Sequence, residues 1–312
     1  MRSGTYYFTT THDDHVTTYP FTSTTSPDRG DRVLNRTPVA VRALARAALA
    51  ARPVGLDETD AAAPLLRHHG HSYLVPVELF QDFAALLTDP RRPGGPYRAL
   101  SVGGRRWFGY RSTHYDTPAL RSFHDHAQER APRFGVRERL YQDSGKRQLE
   151  LKVRGADGAT VKHRTRLGEG DDPLDDTGRA FVDGVLRGTY GIGAPQELAA
   201  RVVTEYRRAT FVADGQRLTC DAGLVVRAAG EGRAVRADGG SVLVETKAGA
   251  PGRPTDADRL LARFGVAPVA FGKYCGGLAV LRPELAAGPW QEAVRTLFPG
   301  AVPPGEGDSV SR

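Results

Sequence analysis

The sequence predicts an α+β protein in which helices surround an antiparallel β-barrel. Three observations carry that prediction. Charged and apolar residues alternate with a period of two in FGVRERLY, LELKVR, VKHRTRL, RLTCDAGL and VLVETK. The turn signals QDSGK and GADGA separate the first three of these, so they read as a meander. Stretches with apolar residues at helical spacing are few and lie between the strand-like segments.

A strand turns alternate side chains to opposite faces. One face of each segment is apolar, with Val136, Leu140, Leu149, Leu151, Val153, Val161, Leu218, Val242 and Val244. The other carries Arg137 and Arg139; Glu150 and Lys152; Lys162, Arg164 and Arg166; Arg217, Thr219 and Asp221; Glu245 and Lys247. A surface sheet with one solvated face has the same alternation. Solvated faces usually mix in Thr, Ser and Gln, whereas Arg, Lys and Glu dominate here. The pattern alone leaves both readings open, a surface sheet and an enclosed lumen.

In chain order, residues 1–35 are rich in Thr, Ser, Asp and Arg with almost no aliphatics, which predicts a disordered extension. Thr37–Arg52 reads as a short amphipathic helix with Thr37 as N-cap, Pro38 at the first helical position and little to bury. Ser72–Pro76 is strand-like, and Pro76 opens a helix that puts Val77, Phe80, Phe83, Ala84 and Leu87 on one face. Arg105–Tyr115 reads as a strand and Pro118–Arg130 as a helix. Strands follow at 134–141, 147–154 and 159–167, then a helix at Thr177–Arg187. Ala213-Asp214-Gly215 joins strands 201–213 and 216–228 as a hairpin. Ser241–Lys247 is another strand. Asp256–Phe264 is a helix between the Thr255 cap and the Gly265 stop, and 284–297 reads as the last helix. The Pro/Gly/Ser-rich end predicts a frayed tail at 299–312, which leaves 36–298 as one domain.

Composition narrows the function classes. The 312 residues allow a substantial core. No apolar run reaches the length of a membrane span, and the N-terminus lacks a secretory pattern, so no integral membrane segment and a cytoplasmic location are expected. Cys220 and Cys275 make neither a metal spacing nor a disulfide framework and read as reduced and buried. The net charge of +7 points to a polyanionic partner. Nucleic acid is disfavoured, because the basic residues alternate beside acids within strands instead of forming a stripe with interleaved aromatics. The His68, His69, His71 group and the His124-Asp125-His126 run read as solvated residues, not metal sites.

One ordered series goes further. Tyr115-Asp116-Thr117-Pro118 is followed by Arg137-Glu138-Arg139, Leu149-Glu150-Leu151-Lys152, Lys162, Tyr206-Arg207-Arg208, Arg217-Leu218-Thr219-Cys220-Asp221, Val244-Glu245-Thr246-Lys247 and Gly272-Lys273-Tyr274-Cys275. From about Val54 to Arg282 this succession resembles the VTC domain, the polyphosphate-polymerase branch of the triphosphate tunnel metalloenzymes. The resemblance implies an eight-stranded antiparallel tunnel with a charged lumen. It implies phosphate-binding roles for Arg137, Arg139, Lys152, Lys162, Arg208, Arg217 and Lys273, a metal-coordinating Glu245, and Glu150 as a second lumen acid. It implies ATP and inorganic polyphosphate or pyrophosphate as partners, and Mn²⁺ or Mg²⁺ as cofactor. Transfer of the ATP γ-phosphate to a polyphosphate chain is the implied reaction, with triphosphate hydrolysis or binding without turnover as alternatives. Such residue types suit phosphoryl transfer, which depends on positioning and charge neutralisation. The first strand departs from the family: His68-His69-Gly70-His71-Ser72-Tyr73 keeps the Tyr but lacks the acids and lysine. Gly135 and Gly272 stand where the family often has Lys and Ser.

Overall fold

The structure, a computed structural model, describes residues 4–12, 15–23, 37–63, 67–230, 232, 234–249 and 253–301. Strands β1 (Gly4–His12) and β2 (His15–Ser23) pair as a separate two-stranded antiparallel sheet. They fall where composition predicts disorder; the Thr and aromatic residues of that stretch have high β-propensity. The rest of the 1–35 extension, and 302–312 of the expected tail, lie outside the described residues.

The chain continues through α1 (Val39–Ala50), β3 (Pro53–Val54), α2 (Leu56–Ala62), β4 (Arg67–His68), β5 (Ser72–Pro76), α3 (Val77–Thr88) and β6 (Arg98–Leu100). Then come β7 (Phe108–Asp116), α4 (Arg121–Ala127), β8 (Phe134–Tyr141), β9 (Arg147–Arg154), β10 (Thr160–Leu167) and α5 (Asp176–Tyr190). The last part holds β11 (Ala199–Ala213), β12 (Gln216–Ala228), β13 (Ala234–Arg236), β14 (Ser241–Ala248), α6 (Asp256–Arg263), α7 (Lys273–Leu281) and α8 (Gln291–Leu297). The main sheet runs β4-β10-β9-β8-β7-β11-β12-β14-β5.

That order closes on itself. β4 and β5 are two halves of one run of chain. His68 pairs with Thr160 of β10, His69 bridges to Ala248, and Ser72 to Pro76 pair along β14. Taken as one strand, 67–76 joins the two ends of the sheet, giving a ring of eight antiparallel strands, the expected tunnel. Closure removes the free edges that an open sheet would leave. β3, β6 and β13 attach outside the ring.

Apolar faces pack outward against helices. α1, α3 and α6 cover one side of the ring over Tyr73, Val75, Ala209, Phe211, Leu218, Cys220, Val242 and Val244. α5 covers the meander over Phe134, Val136, Leu149, Leu151 and Val153. The alternation read from sequence is therefore apolar out, charged in. α1 is two residues shorter at each end than expected. Pro38 takes the N-cap place with no side-chain cap, and Ala40, Val41, Ala43, Leu44, Ala47 and Ala48 are buried, so this helix belongs to the core. The α6 cap is as expected, with Thr255 and Asp258 in a reciprocal capping box. The expected final helix is instead a short 3₁₀ turn at Pro283–Leu285 followed by α8.

A third cluster lies inside the ring. α7 reads KYCGGLAVL and is buried at every residue but Tyr274. It packs on Leu74, Val202, Tyr206, Leu224, Val226 and Leu243 and fills one end of the lumen. The sequence hid it because a helix that is apolar all round has no 3.6-residue stripe. The wall changes chemistry to receive it. Thr219 and Asp221 point inward on β12, and simple alternation would next turn Gly223 inward. Two residues, Gly223 and Leu224, instead oppose the single Tyr206 of β11, a β-bulge. The extra residue shifts the register, so Leu224 and Val226 face α7. Gly223 sits at φ +66°, where a side chain is strained, and a Cβ there would lie 2.9 Å from Val41 Cγ2. No helix among the described residues is long and apolar enough to cross a membrane.

Gly223→Ala should therefore lower stability by about 1–3 kcal/mol, through strain plus overpacking. Gly215→Ala, at φ +64° with nothing within 4 Å, should cost only about 1 kcal/mol. Urea midpoints of the two variants test the difference; equal losses would mean that the bulge contributes no packing constraint.

Candidate functional site

The inward faces converge on two acidic hubs. The first is Glu150, fully buried on β9. Arg137 stands directly opposite it on β8 and donates from Nε at 2.7 Å to Oε2. Arg139 Nε lies 3.7 Å from the same oxygen, and Lys162 Nζ of β10 lies 3.8 Å from Oε1. The second hub pairs Asp221 of β12 with Glu245 of β14. Arg208 of β11 grips Asp221 with both arms, Nε at 2.6 Å and Nη2 at 2.7 Å. Lys273, the first residue of α7, reaches Asp221 at 2.6 Å and Glu245 at 3.4 Å. Glu245 also meets Arg208 and Lys247, each at 3.3 Å, and accepts from Thr219 Oγ1 at 3.1 Å.

Two tyrosines link the hubs. Tyr206 is buried; its hydroxyl accepts from Arg139 at 3.2 Å, and its ring lies 5.3 Å from the Arg208 guanidinium and 4.8 Å from Lys273 Nζ. Tyr110 stacks on Tyr206 at 5.5 Å and faces Arg139 and Arg208. Aromatic faces thus hold cations in place without neutralising them. Lys152 of β9 has no ion-pair partner among the described residues, and its side chain is water-accessible although the ring surrounds it.

Electrostatics follow from this crowding. Burial by itself would raise the Glu150 carboxyl, but Arg137, Arg139 and Lys162 outweigh it and hold it well below its ordinary value. Glu245 is likewise held low by Lys273, Lys247, Arg208 and Lys152 against its burial, and Asp221 by Arg208 and Lys273. The lysines divide. Asp221 and Glu245 raise Lys273 despite its burial. Burial lowers Lys162 to about 8, against the pull of Glu150. It lowers Lys247 to about 8 against Glu245. Lys152 also falls well below its ordinary value, first through the desolvation that the surrounding ring imposes and then through Arg137 and Lys247, although its side chain still meets water. Seven cationic side chains (Arg137, Arg139, Lys152, Lys162, Arg208, Lys247, Lys273) face three carboxylates, and the depressed lysines register that excess.

Most of the residues expected from sequence meet here. Arg217 does not. It turns to the C-terminal end of α2, where it donates to the carbonyls of Thr59 and Ala63 and pairs with Asp60. The first strand offers no acid. Ser72 stands opposite Glu245, and a Cβ on Gly70 would come within 1.8 Å of the Thr246 carbonyl oxygen. These donors form no all-protein cage for a divalent ion. Among the described residues no three His, Cys, Asp or Glu side chains are grouped to hold one, and Glu245 is already ringed by three cations. Residues that sequence reasoning left without a role include Asp221, Lys247, Tyr206 and Tyr110. The first two lie on the charged faces it identified. The spacing of Tyr206 and Arg208 puts both on one face, which was the available signal.

Replacing Glu150 by Gln should leave Arg137, Arg139 and Lys162 facing one another without their shared counter-charge. The cost should be about 3–5 kcal/mol in phosphate-free buffer. Millimolar tripolyphosphate should recover most of it, as read by thermal unfolding; no recovery would mean that added anions do not reach this hub.

A model of the VTC domain family matches residues 65–282. No curated protein matches the sequence. Solved structures similar in fold include a protein of Bacillus halodurans described as an adenylate cyclase candidate, at 13% identity and TM-score 0.40, covering 67% of this chain and 96% of that one. An adenylyl cyclase candidate of Hippeastrum, described as having a dominant triphosphatase activity, aligns at 15% identity and TM-score 0.37, covering 66% and 93%. A third, from Vibrio parahaemolyticus, aligns at 13% identity and TM-score 0.33, covering 70% and 87%. These scores are too low to carry an inference about this chain. The family match spans more than half of the sequence, and the chain belongs to the VTC domain family.

Proposed function

We propose that the lumen binds a linear chain of phosphates and acts as a polyphosphate polymerase-like phosphotransferase, moving the γ-phosphate of ATP onto polyphosphate. One observation carries this reading: six cations from β8, β10, β11, β14 and α7 converge on three carboxylates inside a closed ring, with Lys152 of β9 beside them. An excess of fixed positive charge that water cannot fully screen is a demand for a polyanion. Arg137, Arg139 and Arg208 present planar forks suited to phosphate oxygens; Lys152, Lys162, Lys247 and Lys273 act as point charges. Phosphoryl transfer needs an in-line arrangement and neutralisation of charge on the equatorial oxygens, and both can come from these side chains. Glu245 holds Lys247, Lys273 and Arg208 in place, and it is the carboxylate that would hold Mn²⁺ or Mg²⁺ together with phosphate oxygens of the ligand.

A second reading, a phosphate-chain binder without turnover, is favoured by the first strand, where His68 and Gly70 stand in place of the family's acids and Ser72 in place of its lysine. Incubation with ATP and Mn²⁺, scored by gel for polyphosphate and by assay for free phosphate, separates the readings. Polymer formed by the wild type and reduced by about 10²-fold or more in Arg137→Ala and Arg208→Ala supports the polymerase. Free phosphate alone makes it a triphosphatase. Tight binding with neither product makes it the binder.

Binding should also depend on pH. Lys162 and Lys247 lose their protons near pH 8 in the empty lumen, and a bound polyanion raises both values. Protons are therefore taken up on binding at about pH 8–9, and this contribution weakens affinity as pH rises through that window. Calorimetry in two buffers of different ionisation enthalpy should find less uptake for Lys162→Met than for the wild type. Equal uptake would detach Lys162 from the ligand.

A further inference from the structure

His114 lies on the inner face of β7, directly across from Arg137 of β8. It is 7% exposed. One ring nitrogen, Nε2, lies 3.2 Å from Thr204 Oγ1 on β11. The ring stacks on Tyr274 of α7 at 5.6 Å with an interplanar angle of 21°. Nδ1 has no hydrogen-bond partner among the described residues, and the ring sits on the inward face of the wall that Arg137 shares.

The charged groups that act most strongly on the ring are positive: Arg137 and Arg139 on β8, Lys152 on β9 and Lys273 on α7. Glu150, across β8 from it, is paired with Arg137 and Arg139. The acid two residues along its own strand, Asp116, is engaged elsewhere. It accepts from the amides of Thr117, Ser122 and Phe123 and from the Tyr274 hydroxyl at 2.6 Å. Burial first, and these cations after it, hold His114 well below its ordinary value, so the ring is neutral in the empty lumen.

We propose that His114 is a phosphate-binding residue of the tunnel that becomes a cation only when a phosphate chain enters. This rests on the reading of the lumen as a phosphate-chain site. The logic is electrostatic. The empty ring already carries more positive charge than its carboxylates offset, and a further permanent cation would add to that repulsion. An imidazole adds none while neutral. An anion chain paired with Arg137, Arg139, Lys152 and Lys273 removes the repulsion that adds to the effect of burial, and a phosphate oxygen accepting from Nδ1 compensates the burial of the charged ring.

The test is a pH titration of the imidazole resonances by NMR, with and without tripolyphosphate, on the wild type. His114→Gln assigns the signal and serves as the binding control. Without ligand the His114 ring should titrate well below an ordinary imidazole. With tripolyphosphate its titration should move upward. The ratio of wild-type to His114→Gln affinity should grow as pH falls through the ligand-bound titration, by up to about tenfold per unit, and level off above it. Comparing the two cancels the titration of tripolyphosphate itself and of the lysines. A His114 titration unmoved by bound ligand overturns the inference and leaves the phosphate-chain reading intact. No binding of tripolyphosphate by the wild type overturns both. A thermal scan of His114→Gln with unchanged midpoint separates lost proton uptake from lost folding.

Discussion

Everything in this molecule turns on enclosing like charges inside a closed sheet. Bringing seven cations within one ring is opposed by desolvation and by mutual repulsion. Three devices keep the cost bearable. Glu150, Asp221 and Glu245 are each shared by two or more cations. Tyr206 and Tyr110 place polarisable faces against Arg139, Arg208 and Lys273. Two lysines release their protons at about 8 instead of their ordinary value. The neutralisation is deliberately incomplete in effect if not in intent: what remains is a positive field confined to the lumen.

A closed ring must also be filled or hydrated along its whole length. Here the two ends are treated differently. α7 and its apolar contacts occupy one end, and the charged residues occupy the rest. The division depends on a single inserted residue at Gly223, because strand periodicity would otherwise continue the polar wall into the region of α7. The same helix that plugs the barrel carries Lys273 at its first turn and Tyr274 beside His114. Packing at the apolar end thus sets the position of charges at the polar end, and a change in either is felt by the other.

Much of this was legible in the sequence. The strands at 134–141 and 147–154 and the 213–216 hairpin match within a residue or two, since both faces of each carry strong and opposite signals. The order of motifs identified the tunnel, and the alternation named most of the lumen residues. Three things were hidden for physical reasons. α7 has no polar face to give a helical period. The Gly223 bulge shifts a register that any fixed-period reading assumes constant. Arg217 lies on the correct face of β12, yet α2 supplies carbonyls that capture it, and contacts with a distant helix leave no trace in local spacing.

The first strand decides how this lumen differs from what its family implies. An acid at position 70 is sterically impossible without moving β14, because the backbone of Thr246 occupies the place where its side chain would begin. Position 72 faces Glu245 with a hydroxyl. Glu245 is therefore left as one carboxylate among Arg208, Lys247 and Lys273, and its field is shared by these side-chain cations. On the proposed reading, a phosphate chain meets the permanent charges of Arg137, Arg139, Arg208 and Lys273 together with groups whose charge responds to the ligand: Lys162 and Lys247 close to their titration points, and His114 across from Arg137. A wall of permanent charges would bind anions with little regard to pH. A wall that adds conditional charges to permanent ones would couple binding of an anion to proton uptake, and the absence of acids on the strand that closes the ring leaves those conditional groups free to respond.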